Sequence, residues 1–234
     1  MDYGGYGDDF GGVQKMTDTA RFVLGIIGII GGILCAIADL LLDIKGPDNK
    51  KLGKMGVIDS AWERMAHFRF VLSGILAMFA VPMYSCGFIS LMQMDGNYAI
   101  SAMILRIIFL CGAMGGFMIH IFLCLQPTIY QVIMKKDNQE LAEEVINSIF
   151  RQIYVPFFAL YTMLVIIPAI AVMTFIIKGV MPLPLWCVLL NPVVFQIVGL
   201  LLRATKLKIF IDAPSCCAAS LGLASYGVLA LFGL

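Results

Sequence analysis

Residues Phe22–Asp43 read FVLGIIGIIGGILCAIADLLLD, and this stretch decides the class of the protein. About 20 apolar residues in helical form cross the hydrocarbon layer of a bilayer, and the run stays uncharged until Asp39 and Asp43 close it. The residues ahead of it begin MDYGGYGDDFGG, which is acidic and glycine-rich where a secretory signal would be basic, and no small-residue cleavage pattern follows the run. It reads as a retained first span behind a disordered tail over residues 1–20.

Within the run, Gly25, Gly28, Gly32, Cys35 and Asp39 recur at intervals of three or four, and Asp43 continues the series. Such positions share one helix face. Small residues let two backbones approach closely, so this face is expected to pack on other helices and to turn Asp39 into a bundle.

Outward from this stretch the same composition continues. The 234 residues are 61% apolar and 13% charged, with mean hydropathy +0.94, against about 25% charged in a soluble domain. Apolar blocks cover 22–42, 70–92, 99–125, 153–177, 183–202 and 213–234. The expected fold is all-α, a polytopic transmembrane helix bundle of about six spans forming one domain over 21–234. A β-barrel is excluded because its alternating pattern is absent. Arg106 lies inside the third block, so that helix is expected either to begin near Ile107 or to let Arg106 snorkel. Pro82 and Pro168 are expected to kink spans two and four.

A net charge of +1 gives no case for a nucleic-acid partner. The seven cysteines lie in apolar blocks without a CxxC pair and read as packing residues. The loops after blocks one, three and five hold twelve of the sixteen basic residues. The positive-inside rule makes those loops cytoplasmic and both termini external. Asp59–Phe68 has helical spacing, with Asp59, Glu63 and His67 expected on a solvated face and Trp62 at the headgroup level. Residues 138–146 read as a short amphipathic helix capped by Asn138.

Polar groups at membrane depth are the functional candidates. Gly112, Gly116 and His120 repeat at four-residue spacing and carry His120 to the same end as Asp39, so the two are expected to be able to satisfy each other. Asp43, Glu63, His67, Gln126, Tyr130, Tyr154, Gln196 and Asp212 fall at the same side. Asn191, before Pro192, is expected at a kink in span five. Two histidines with several carboxylates suit a metal or acid–base chemistry. Asp39 and His120 are the candidates for a metal, although the pattern fixes neither a metal nor a cofactor. No catalytic signature such as HExxH, GxSxG or a Walker loop is present. The expected function is binding or transport of a small molecule through a polar pocket near the cytoplasmic leaflet. The alternatives are a membrane-embedded enzyme acting on a lipid or isoprenoid, with or without a metal, and a scaffold or partner-binding subunit whose glycine faces bury neighbouring chains, a second copy of this chain among them.

Ala38–Leu42 closing span one, Pro182-Leu183-Pro184-Leu185-Trp186 opening span five, Asn191-Pro192, His120, and Ser220-Leu221-Gly222 form a further set. With these the chain from Phe22 onward resembles a family of uncharacterised bacterial six-span integral membrane proteins. The resemblance implies six spans and a bacterial inner membrane, and it carries over no activity, cofactor or catalytic residue.

Overall fold

Thr17 starts the first helix, its side-chain oxygen accepting from the Ala20 N–H at 3.2 Å, with Asp18 in the first turn where the helix dipole favours an anion. The computed structural model describes residues 16–207, 210 and 213–233. Among these residues the helices are α1 (Asp18–Asp43), α2 (Phe68–Leu91), α3 (Ala99–Met134), α4 (Gln139–Tyr161), α5 (Ile167–Ile177), α6 (Pro192–Ala204) and α7 (Ala213–Phe232). A small antiparallel hairpin, β1 (Lys51–Leu52) and β2 (Ile58–Asp59), lies between α1 and α2, with Lys51 opposite Asp59. The fold is an all-α bundle compatible with a membrane. Four helical stretches are long and apolar enough to cross one: Asp18–Asp43, Phe68–Leu91, Gly96–Met134 and Gln139–Ile177. Pro192–Ala204 and Cys217–Phe232 are shorter.

The glycine face of α1 explains the centre of the bundle. Gly25, Gly28, Gly31 and Gly32 are buried, while Ile26, Ile30, Ile33 and Ile37 on the other side stay exposed. Gly28 meets the backbone of Gly87 on α2, and Gly87 in turn meets Gly227 on α7: a Cβ added to Gly87 would lie 3.0 Å from Gly227 N and Gly28 Cα. Three helices therefore touch backbone to backbone, which any side chain would prevent. Beyond this seam an aromatic core fills the half of the bundle away from the hairpin. Phe88 stacks on Phe109 at 4.1 Å, and Tyr226 meets both edge-on.

The other half closes on a small lobe. Trp62 is buried, packs edge-on against Tyr130 and joins Ile58, Phe70, Ala142 and Ile146 in a second core. Gln131 Nε2 ties α3 to this lobe by donating to the carbonyls of Trp62 and Met65, both at 2.7 Å. Arg69 finishes α1 by donating to the Leu41 and Ile44 carbonyls at 3.0 and 2.7 Å, a cation on a helix C-terminus.

Asp59 anchors the lobe. It is 1% exposed and holds Lys45 at 2.8 Å, Lys51 at 2.9 Å and Asn49 Nδ2 at 2.7 Å. Burial pushes its carboxyl up, but the hydrogen bonds from Lys45, Asn49 and Lys51 outweigh burial and hold it below the ordinary carboxylate range. Burial pushes the Lys45 ammonium down, yet Asp43 and Asp59 together hold it above the ordinary lysine value.

Several expectations are corrected here. Asp59 and Trp62 are interior residues of a folded lobe, not a solvated face and an interfacial anchor, because β2 and a 3₁₀ turn over Ser60–Glu63 replace the expected helix. α3 begins at Ala99 and runs through Arg106, whose Nε donates to the Ala102 carbonyl at 3.4 Å. The amphipathic segment at 139 is not a separate helix: it continues through α4, a wide π-type turn over Thr162–Ile166 and α5. The fifth apolar block is no single helix. A 3₁₀ turn over Leu185–Leu189 precedes α6, which is 13 residues long. Of the expected tail, residues 1–15 lie outside the described residues, and α1 already begins at Asp18.

Candidate functional site

Asp39 sits one turn before the end of α1, four residues from both Cys35 and Asp43. Packing of α1 against α2 and α7 brings two serines to it and to its neighbour His120. Ser220 on α7 donates to Asp39 Oδ2 at 2.5 Å. His120 on α3 places Nδ1 3.6 Å from Asp39 Oδ1, an electrostatic contact slightly longer than a hydrogen bond. Its Nε2 lies 2.9 Å from Ser73 Oγ on α2.

The hydrogen-bond inventory fixes the imidazole. Ser73 is wholly buried and donates its one proton to the Ala38 carbonyl at 2.8 Å, so it can only accept from His120. Nε2 therefore carries hydrogen. Nδ1 then faces Asp39 Oδ1 across 3.6 Å, a charge contact when the imidazole is protonated. In a His67→Gln background, where His120 is the single histidine, ¹⁵N spectra are expected to show the Nε2–H form or the imidazolium. Ser73→Ala is expected to mix the tautomers. A neutral Nδ1–H form in the unaltered pocket would contradict this assignment.

Ser73, His120 and Asp39 have the connectivity of a serine hydrolase triad. Their geometry is not that of one. Ser73 gives its proton away from the histidine, is closed off from solvent, and borders neither adjoining cavity. Cys124 Sγ also donates to it at 3.6 Å, so its oxygen is saturated and not poised to attack.

Asp39, His120 and Ser220 instead line a cavity of about 460 Å³ among the helices, together with Asp43, Tyr161 and Gln196. Most of the remaining wall is apolar, with Phe157, Phe158, Leu164 and Leu223 among its residues. A few convergent polar groups in an apolar cleft is the ordinary make-up of a small-molecule site.

Of the other candidates Asp43 shares this cavity and pairs with Lys45 at 2.6 Å, and the rest fall elsewhere. His67 stands before α2 on a different groove, with Nδ1 3.5 Å from Thr128 Oγ1. Glu63 is exposed on the lobe. Asn191 is a helix cap: its Oδ1 accepts from Val193 and Val194 N–H at 3.0 and 3.1 Å, and its Nδ2 donates to the Val188 carbonyl at 2.6 Å. Asp212 lies outside the described residues. Among the described residues no three His, Cys, Asp or Glu side chains converge as metal ligands. Sequence reasoning missed Ser73 and Ser220. Their only signal is a hydroxyl on a small-residue face, Ser73 beside Gly74 and Ser220 two residues before Gly222.

Comparison with curated proteins and with solved structures gives no match in either. The model of a family of unknown function (DUF6796) matches residues 16–234, and the chain belongs to that family.

Proposed function

We propose that the protein binds, and carries across the bilayer, a small molecule held in the Asp39–His120–Ser220 cavity. The observation that carries this reading is the cavity itself. It is large enough for a small organic ligand, and its polar groups converge from α1, α3 and α7 at membrane depth. Ionisable groups there are costly and ordinarily mark a substrate or proton path. The approach of His120 to Asp39 suits a ligand whose binding is coupled to proton uptake.

Within this proposal the chain passes the membrane six times. The fifth pass is a broken one, made of the 3₁₀ turn over Leu185–Leu189 and α6. An interrupted helix is tolerated where it faces protein or a cavity, and Gln196 of α6 lines this cavity. The basic hairpin lobe and the loops after α3 and α6 lie on the cytoplasmic side of a bacterial inner membrane, with both termini outside.

The test is a thermal-shift screen of metabolites against the detergent-purified protein, followed by affinity measurements on Asp39→Asn/His120→Gln. Binding weakened more than about tenfold, the equivalent of ~1.4 kcal/mol, with the fold retained, is the expected result. A hit whose affinity and proteoliposome uptake are unchanged in the double variant would remove the proposal.

A further inference from the structure

A second cavity, of about 350 Å³, adjoins the first on the lobe side and shares Asp43, Leu123, Phe157 and Phe158 with it. Two of its wall residues are buried donors without an acceptor. Trp62 is 5% exposed and Gln126 3%, and neither Trp62 Nε1 nor Gln126 Nε2 has a hydrogen-bond partner. An unpaired buried N–H costs about 1–3 kcal/mol, so two on one cavity wall call for an external acceptor. Both are N–H groups, so what they lack is oxygen.

The charges at this cavity do not select an anion by themselves. Lys45 and Lys51 are matched against Asp43 and Asp59 at 2.6–2.9 Å. Recognition then rests on the neutral donors. The α4 side of the cavity is aromatic. Phe150, Tyr154 and Phe158 form a ladder along α4 with ring spacings of 5.7 and 4.9 Å, and Phe158 continues through Phe157 to Tyr161 at 5.3 and 6.1 Å. Tyr154 and Phe158 are about half exposed, at 48% and 51%. The ladder runs from the donor pair to the first cavity, because Phe157 and Phe158 border both and Tyr161 borders the first.

We propose that this second cavity takes the head of an amphiphile bearing acceptor oxygens, of which a phosphodiester lipid is the bilayer example. Trp62 and Gln126 donate to the head, and the chain lies along the Phe150–Tyr161 ladder toward Asp39 and His120. The inference rests on the reading that the first cavity binds a ligand, and it names that ligand's class. A polar head at the lobe and an apolar tail on α4 also match the depth of each surface, since the lobe lies at the end of the helices and α4 along their length.

The test is calorimetric titration of the full chain in maltoside with dihexanoylphosphatidylcholine, with inorganic phosphate as a second probe. Saturable lipid binding is expected, weakened about five- to tenfold by Trp62→Phe and by Gln126→Met. Trp62→Phe is expected to lower the melting temperature modestly, because the indole also fills the lobe core, whereas Gln126→Met removes a donor that has no partner in the free protein and is expected to leave it unchanged, so lipid affinity lost in Gln126→Met separates lost contacts from lost folding. Equal affinities across the three proteins would overturn the proposal. So would phosphate binding as tightly as the lipid, which would make the site one for a free oxyanion. So would binding abolished by about 0.5 M salt, since that marks adsorption to exposed lysines. Asp39→Asn separates the two readings: lipid binding intact there, with metabolite binding also intact, leaves the head site standing while the Asp39–His120 proposal falls.

Discussion

Gly28→Ala is expected to lower the melting temperature of the detergent-purified protein by about 10 °C, corresponding to ~3 kcal/mol for a chain of this size. An added methyl there runs into the Cα and N of Gly87, and Gly87 is held from behind by Gly227. Backbone cannot swing aside as a side chain can, so α1, α2 and α7 would have to separate. Helix propensity works the other way, favouring alanine over glycine by about 1 kcal/mol, which makes a matched control informative. Gly116→Ala on α3 meets only the Leu164 side chain at 3.4 Å, an ordinary contact. That variant is expected to be neutral or slightly stabilised. Equal melting temperatures for the two variants would show that the three-helix seam is not closed as described.

Asp59→Ala is expected to unlatch the hairpin lobe at a cost of about 3 kcal/mol, typical of removing one partner from a buried ion pair. Lys45 would keep Asp43 at 2.6 Å, but Lys51 and Asn49 would lose their acceptor. Hydrogen exchange over residues 49–62 should accelerate while the glycine seam stays protected. The same lobe has a defined pH window. Asp59 titrates lower when folded than unfolded, so its contribution is complete above the unfolded carboxylate value of about 3.9 and fades as pH falls through the folded value. Lys45 titrates higher when folded, so its contribution is complete below about 10.4 and fades only as pH rises through the folded value. Protection of the hairpin should therefore be flat across neutral pH and fail in acid. A transition near pH 7 would mean that another group controls it.

The glycine face of α1 is legible in the sequence because a period of three to four is a direct imprint of helix packing. The isoleucines exposed on its other side carry the same period. Helix class follows from apolar block length alone. That Asp39 and His120 fall at the same end of the bundle is also legible, since each follows a small-residue stripe toward the same end of its block. Their separation is not, because it depends on how α1 and α3 are rotated around α2. Ser73 and Ser220 were invisible for a different reason: a hydroxyl on a packed face reads as a small residue until its partner is known. Asp59 misled by local pattern. Its helical spacing to Glu63 and His67 is real, but Gly53 and Gly56 take positive φ and turn the chain into a hairpin, which a spacing argument does not detect. Asn191-Pro192 signals an interruption, and the chain does break there, but the pair does not say that Asn191 caps a new helix.

The wide turn over Thr162–Ile166 sets a constraint on chain length that no substitution can report. Such a turn holds one residue more than regular α-helix needs, and each residue advances the helix by about 100°. Everything after it is out of phase with everything before. Phe157 borders both cavities and Tyr161 the first, while Ala169, Val172 and Ile176 point into the core. Deleting any one residue of Thr162–Ile166 would leave composition and hydropathy almost untouched, yet would swing the whole of α5 by more than a quarter of a circle and turn its inward side chains away from the core. The residue surplus is thus a phase shifter, and insertions or deletions across it carry a penalty that their small size conceals.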